Sequence, residues 1–105
     1  MSLQLDTPGQ KSSGGNVQQA TVRVKNRLGL HLRPASKLVK LASSFAECEI
    51  SIQKDDQQVN AKSVMGVIML AAEQGSELYI EIIGTDAAEA LAQITQLIEE
   101  GFGEE

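Results

Sequence analysis

Tryptophan is missing from this 105-residue chain, tyrosine occurs once and phenylalanine twice. A hydrophobic core must therefore be aliphatic, drawn from Val, Ile, Leu and Ala, and the hydrophobic fraction of 42% is enough to build one. Cysteine also occurs once, as Cys48, so no internal disulfide can form. With a single histidine as well, no His/Cys cluster is available for a structural zinc, and neither metal nor cofactor is expected. Cys48 itself reads as a small, partly buried residue opening an apolar alternation. No run approaches the roughly 20 apolar residues that span a bilayer. Nor does a basic segment followed by an apolar one open the chain as a secretory signal would. A reducing cytoplasm is the expected compartment. An excess of basic residues is absent too: the net charge is -5. That argues against nucleic acid or an anionic membrane as partner, since both call for a basic surface.

What remains fits one small domain. Residues 1–19 carry Pro8, Gly9, Ser12, Ser13, Gly14 and Gly15 without a sustained apolar period, and are expected to be a flexible tail. The domain is expected over residues 20–105. Val22 and Val24 alternate with Thr21, Arg23 and Lys25 as in a half-buried strand. Gly29 breaks it, and Pro34 suits the first turn of a helix, where its missing N–H costs nothing. Ala35, Leu38, Val39 and Ala42 then recur at helical spacing.

Cys48, Ile50 and Ile52 mark a second strand, and Gln57 to Ala61 a short third one after the turn residues KDDQQ. Ser63 can cap a short helix, VMGVIMLA, with Gly75 as its stop. Leu78, Ile80 and Ile82 alternate as a fourth strand ended by Gly84. Asp86 with Glu89 resembles a capping box opening a last helix, in which Ala87, Leu91, Ile94 and Ile98 are apolar. Gly101 stops that helix, and the acidic end GFGEE is expected to fray. The order β-α-β-β-α-β-α, with alternating strands, predicts an α+β two-layer sandwich whose sheet is antiparallel and covered on one face. Connectivity alone also allows a ferredoxin-like fold with an added helix.

His31 is the residue best placed for chemistry. It stands at the expected helix start, where unpaired backbone N–H groups and the helix dipole attract anions. Arg33 adds a fixed cation with donors suited to phosphate oxygens. A neutral imidazole carries the lone pair of a nucleophile. Leu30 and Leu32 flank it as a candidate dry rim. Ser63, read alone, is an ordinary N-cap. Yet its helix is too apolar to be wholly buried: Val67, Leu70 and Ala71 can line one inner stripe, which leaves Val64, Met65, Ile68 and Met69. An exposed apolar face of that kind suits protein docking, with Lys40 and Lys62 as a basic rim for acidic partners.

The segment G-L-H-L-R-P-A-S, Gly29 to Ser36, resembles the active-site motif of the HPr phosphocarriers of the phosphoenolpyruvate-dependent phosphotransferase system. A second segment, A-K-S-V-M-G-V-I-M-L from Ala61 to Leu70, resembles the regulatory-serine region of the same family. The resemblance implies an open-faced sandwich of four antiparallel strands with three helices on one face. It also implies a monomeric, non-enzymatic carrier that takes a phosphoryl group from enzyme I and hands it to enzyme IIA domains. On this resemblance His31 is the acceptor, through Nδ1, Arg33 neutralises the phosphate and Pro34 sets the helix start. Ser63 is the target of an HPr kinase/phosphorylase, and Val64, Met65 and Ile68, with Leu32, Lys40 and Lys62, form the docking face. The tail has no counterpart in typical members, and the C-terminal end looks closer to the nitrogen-related branch, a regulatory carrier that does not feed sugar transport. A ferredoxin-like ligand-binding or RNA-binding module is the alternative of another class, and the acidic balance and scarce aromatics oppose its RNA version.

Overall fold

The computed structural model describes residues 16–104. Most of the expected tail, residues 1–15, and Glu105 lie outside the described residues. The elements are β1 (Val17–Arg23), α1 (Leu32–Ser43), β2 (Cys48–Lys54), β3 (Gln57–Asn60), α2 (Val64–Met69), β4 (Glu77–Gly84) and α3 (Ala87–Glu99), followed by a 3-10 turn over Gly101–Gly103.

One antiparallel sheet runs in the order β1-β4-β2-β3. Ala20 faces Ile80 across β1 and β4, and Ile52 faces Ile80 across β2 and β4. Val22, Ile50, Ile52, Leu78, Ile80 and Ile82 are buried, while their neighbours Thr21, Arg23, Glu49, Tyr79 and Ile83 are exposed. The period-two pattern thus buries one face only, and that face meets Leu38 and Ala42 of α1, Val67 of α2 and Ile94 and Ile98 of α3. This is the expected α+β open-faced sandwich. Among the described residues no helix is long and apolar enough to cross a membrane.

Several boundaries differ from the sequence reading. The sheet begins at Val17, not Ala20, because Val17, Gln18 and Gln19 pair with Ile83, Ile82 and Glu81. Gln19 Nε2 also donates to Glu81 at 3.0 Å, a cross-strand tie that a polar VQQ run does not advertise. The helix after Ser63 ends at Met69 rather than running on toward Gly75. Ala71 takes a left-handed φ of 51° and turns outward, so Ala72 fills the inner position expected of it. Asp86 precedes α3, but its side chain makes no capping bond, and Glu89 instead accepts from Gln93 Nε2 at 2.6 Å, so the capping box does not form.

The loop between β1 and α1 is stitched to the segment after α2. Leu30 N–H donates to the Ala72 carbonyl at 2.9 Å, Val24 N–H to Ser76 at 2.9 Å and Gly75 N–H to Val24 at 2.8 Å. Gly29 sits in this seam with φ 71°, where a Cβ would run into the Ala72 carbonyl oxygen. Glycine is the residue that fits both demands.

Candidate functional site

The seam delivers His31 to the N-cap of α1. Its backbone is extended (φ -78°, ψ -173°), its carbonyl accepts the first helical bond from Ala35 N–H at 3.0 Å, and its side chain makes no capping bond. Pro34 is buried in the first turn and has no N–H. The amides of Leu32 and Arg33 therefore have no partner within the helix and mark its positive end. The ring is 38% exposed and borders a cleft of about 730 Å³. Arg27, Arg33 and Lys37 give that cleft its positive charge, and Leu28 and Leu32 its apolar wall.

The C-terminal segment closes the other side. It does not fray. Gly101 (φ 67°) and Phe102 (φ 59°) both adopt left-handed backbone, and the Phe102 ring is fully buried. Burial of an aromatic ring contributes about 1.5–3 kcal/mol, enough to hold a strained non-glycine φ that costs about 1–3 kcal/mol. Lys37 Nζ donates to the Phe102 carbonyl at 2.7 Å and ties the turn to α1. Glu104 is thereby placed beside the imidazole: both of its carboxylate oxygens lie 3.1 Å from His31 Nε2. Its side chain is 17% exposed. Asn26 Nδ2 donates to the same carboxylate at 3.0 Å.

Removal from water pushes the Glu104 carboxyl up. The hydrogen bonds from His31 and Asn26 and the charges of His31 and Arg33 together outweigh this and hold it below its ordinary value of 4.5. Glu104 is therefore an ionised acceptor with no proton to give. Two acceptors cannot face each other at this distance, so Nε2 carries the proton and the lone pair of the neutral ring is on Nδ1. That leaves Nδ1 as the ring nitrogen not engaged by Glu104, at a helix N-terminus with Arg27, Arg33 and Lys37 around the cleft.

The remaining sequence-predicted residues divide. Ser63 caps α2 and accepts from Gly66 N–H at 3.0 Å. Leu32 is 63% and Met65 68% exposed. Val64 and Ile68 are half-buried, Ile68 against the core. Lys40 is exposed on the last turn of α1. Leu30 is buried and so is no part of a rim. Lys62 points inward: Nζ donates to the Cys48 carbonyl at 2.6 Å and the Phe45 carbonyl at 2.9 Å, so its ammonium serves as a tie between loops instead of a free rim charge. Sequence reasoning missed Glu104, Asn26, Lys37, Arg27 and the exposed Leu28, whereas Met69, left outside the inner stripe by the sequence reading, is 63% exposed as that reading expects. For the C-terminal turn one signal existed: a phenylalanine between two glycines directly after an apolar helix, in a chain that has only two phenylalanines.

Comparison with known proteins gives the chain its family. The family model described as "PTS HPr component phosphorylation site" matches residues 18–100. The phosphocarrier protein HPr of Neisseria meningitidis is 43% identical over 84 residues, 80% of this chain and 93% of its own length. The phosphocarrier protein NPr of Proteus mirabilis is 41% identical over 88 residues, 84% of this chain and 98% of its own. A crystal structure of HPr from Thermoanaerobacter tengcongensis superposes with a TM-score of 0.80 at 42% identity, covering 84% of this chain and 98% of that one. The chain belongs to the HPr family of phosphocarrier proteins of the phosphotransferase system.

Proposed function

We propose that this chain is a stoichiometric carrier that accepts a phosphoryl group from enzyme I on Nδ1 of His31 and donates it to enzyme IIA domains. The observation that carries this reading is the His31–Glu104 contact at the start of α1. In the accepting step the Nδ1 lone pair forms a bond to phosphorus. The bond from phosphorus to the donor atom breaks, and its electron pair leaves with the donor. No proton needs to move, because Nε2 keeps its own. The ring gains positive charge, which the Glu104 carboxylate stabilises from the far side. The phosphoryl oxygens meet the free amides of the first turn and the Arg33 guanidinium. The carrier works in the cytoplasm as a monomer, docking through Leu32, Met65, Lys40 and the exposed edges of Val64 and Ile68, with Leu28 and Met69 extending the apolar area.

The test is incubation with enzyme I and phosphoenolpyruvate, read by intact mass. One acid-labile, alkali-stable phosphoryl group is expected on the wild type and none on His31→Ala, which should still fold because the ring lies at the surface. Labelling of His31→Ala at the wild-type level would remove His31 from the reading.

Ser63 is the regulatory site of this proposal. An HPr kinase/phosphorylase would place a phosphate at the start of α2, beside the exposed Met65. A second reading keeps the chemistry and changes the output: a nitrogen-branch carrier that regulates other proteins without feeding sugar transport. The likeness to an NPr supports it. Phosphoryl transfer to a sugar-type or a nitrogen-type enzyme IIA domain, compared at equal concentrations, separates the two.

A further inference from the structure

Asn26 is the one buried polar side chain among the described residues, with 1% of its surface exposed. Both hydrogens of its amide are used. Nδ2 donates to the Gly29 carbonyl at 2.7 Å, inside the loop that carries His31, and to Glu104 at 3.0 Å, in the C-terminal turn. Its Oδ1 has no partner within the protein. Burying an amide costs free energy that an apolar side chain would avoid. The two bonds its nitrogen makes both serve the site. The Gly29 bond fixes which way the amide points, and the Glu104 bond then fixes the carboxylate that receives the imidazole N–H.

We propose that Asn26 is a positioning residue for phosphoryl acceptance: acting through Glu104, it holds the His31 ring with its proton on Nε2 and its lone pair on Nδ1. The Asn26 amide hydrogens go to Gly29 and Glu104, and the ring's Nε2 is bound by Glu104. The effect of Asn26 is conditional on Glu104, and this separates it from a residue that merely fills space. Aspartate could not replace it, because a carboxylate there would repel both Glu104 and the Gly29 carbonyl. The geometry resembles the outer partners of catalytic imidazoles elsewhere, where a second group sets the tautomer by orienting the first.

The inference rests on His31 as the acceptor and is tested in a way that separates the two. The probe is the full chain with nitrogen-15 in its single imidazole, whose two ring signals report which nitrogen carries the proton. Asn26→Ser and Glu104→Ala are measured singly and together, alongside melting temperature and the rate of labelling by enzyme I. Asn26→Ser is expected to raise the population with the proton on Nδ1 and to slow labelling by about 3- to 10-fold, the effect of weakening one charge-assisted hydrogen bond. In the Glu104→Ala background the same substitution is expected to change neither the ring signals nor the rate. Equal effects in both backgrounds, or ring signals unmoved by Asn26→Ser, would overturn the proposal. If Asn26→Ser does not fold, Glu104→Ala decides: unchanged ring signals in that variant, which has no acceptor at 104, mean that no relay exists. Failure of the carrier reading would look different, as an absence of labelling in the wild type whatever the ring signals do.

Discussion

Glu104 follows His31 by 73 residues, yet its carboxylate and the imidazole Nε2 are 3.1 Å apart. The chain's last turn is thus one wall of the site that its first helix opens. The contact depends on three anchors that lie outside the imidazole: the buried Phe102 ring, the Lys37 bond to the Phe102 carbonyl and the Asn26 amide. Each can be removed separately.

Phe102→Ala should cost about 3–5 kcal/mol of stability, as expected for a buried aromatic. It should also release Glu104 from His31. Chemical denaturation gives the first effect and the imidazole nitrogen signals give the second. A loss below about 1 kcal/mol would mean that the turn is not packed as described.

Acidification should expose the Glu104 contribution. Its pKa is lower in the folded than in the unfolded chain, so its stabilisation is present above the ordinary value of 4.5 and is lost as pH falls through the lowered one. The difference in melting temperature between wild type and Glu104→Gln should therefore shrink below pH 4.5. A difference that grows on acidification contradicts the assigned direction.

Arg33→Ala should leave the fold intact, since its side chain is exposed at the cleft, and slow labelling of His31 by about 10-fold through loss of a charge-assisted contact. Arg33→Lys should recover part of the rate, because charge returns without the planar fork. Equal rates for all three proteins would place the phosphoryl group out of reach of residue 33.

Ser63→Ala should lose about 0.5–2 kcal/mol, since it deletes the cap on Gly66 N–H. Phosphorylation at Ser63 adds a charge of about -1.5 to -2 beside an exposed apolar face, which a docking partner would have to desolvate. Transfer from enzyme I to His31 should slow while the melting curve stays cooperative. Identical transfer rates for the phosphorylated and unmodified forms would reduce Ser63 to its capping bond.

Gly29→Ala should destabilise the seam beneath the site, because a left-handed φ and a Cβ against the Ala72 carbonyl are both imposed at once. Loss of amide protection at Leu30, whose N–H donates to Ala72, is the local readout. Full retention of that protection would show that the loop can rearrange around a methyl group.

The sequence was most legible where burial is periodic. Strands β2 and β4 show their inner residues by strict alternation, and α1 by its three- and four-residue spacing, so sheet, helix and the place of His31 could be read locally. The ends of elements were less so. Val17–Gln19 join the sheet because β4 offers a partner, and polar glutamines carry no sign of it. Ala71 ends α2 by a left-handed turn that nothing in its side chain favours. Glu104 and Asn26 were out of reach for a different reason. Their role comes from a contact across 78 residues, built by a three-residue turn too short to have a period.

The sheet order places β1 beside β4 alone. While the chain is being synthesised, the first strand has no partner until the fourth has emerged, and the histidine loop hangs from an unpaired edge throughout that interval. Pairing over so long a separation is slow compared with closing the β2–β3 hairpin. The carrier should therefore become competent late and all at once, when β4 arrives to join the two halves of the sheet. An N-terminal fragment released before β4 would carry its histidine loop beside a strand that is open to other chains.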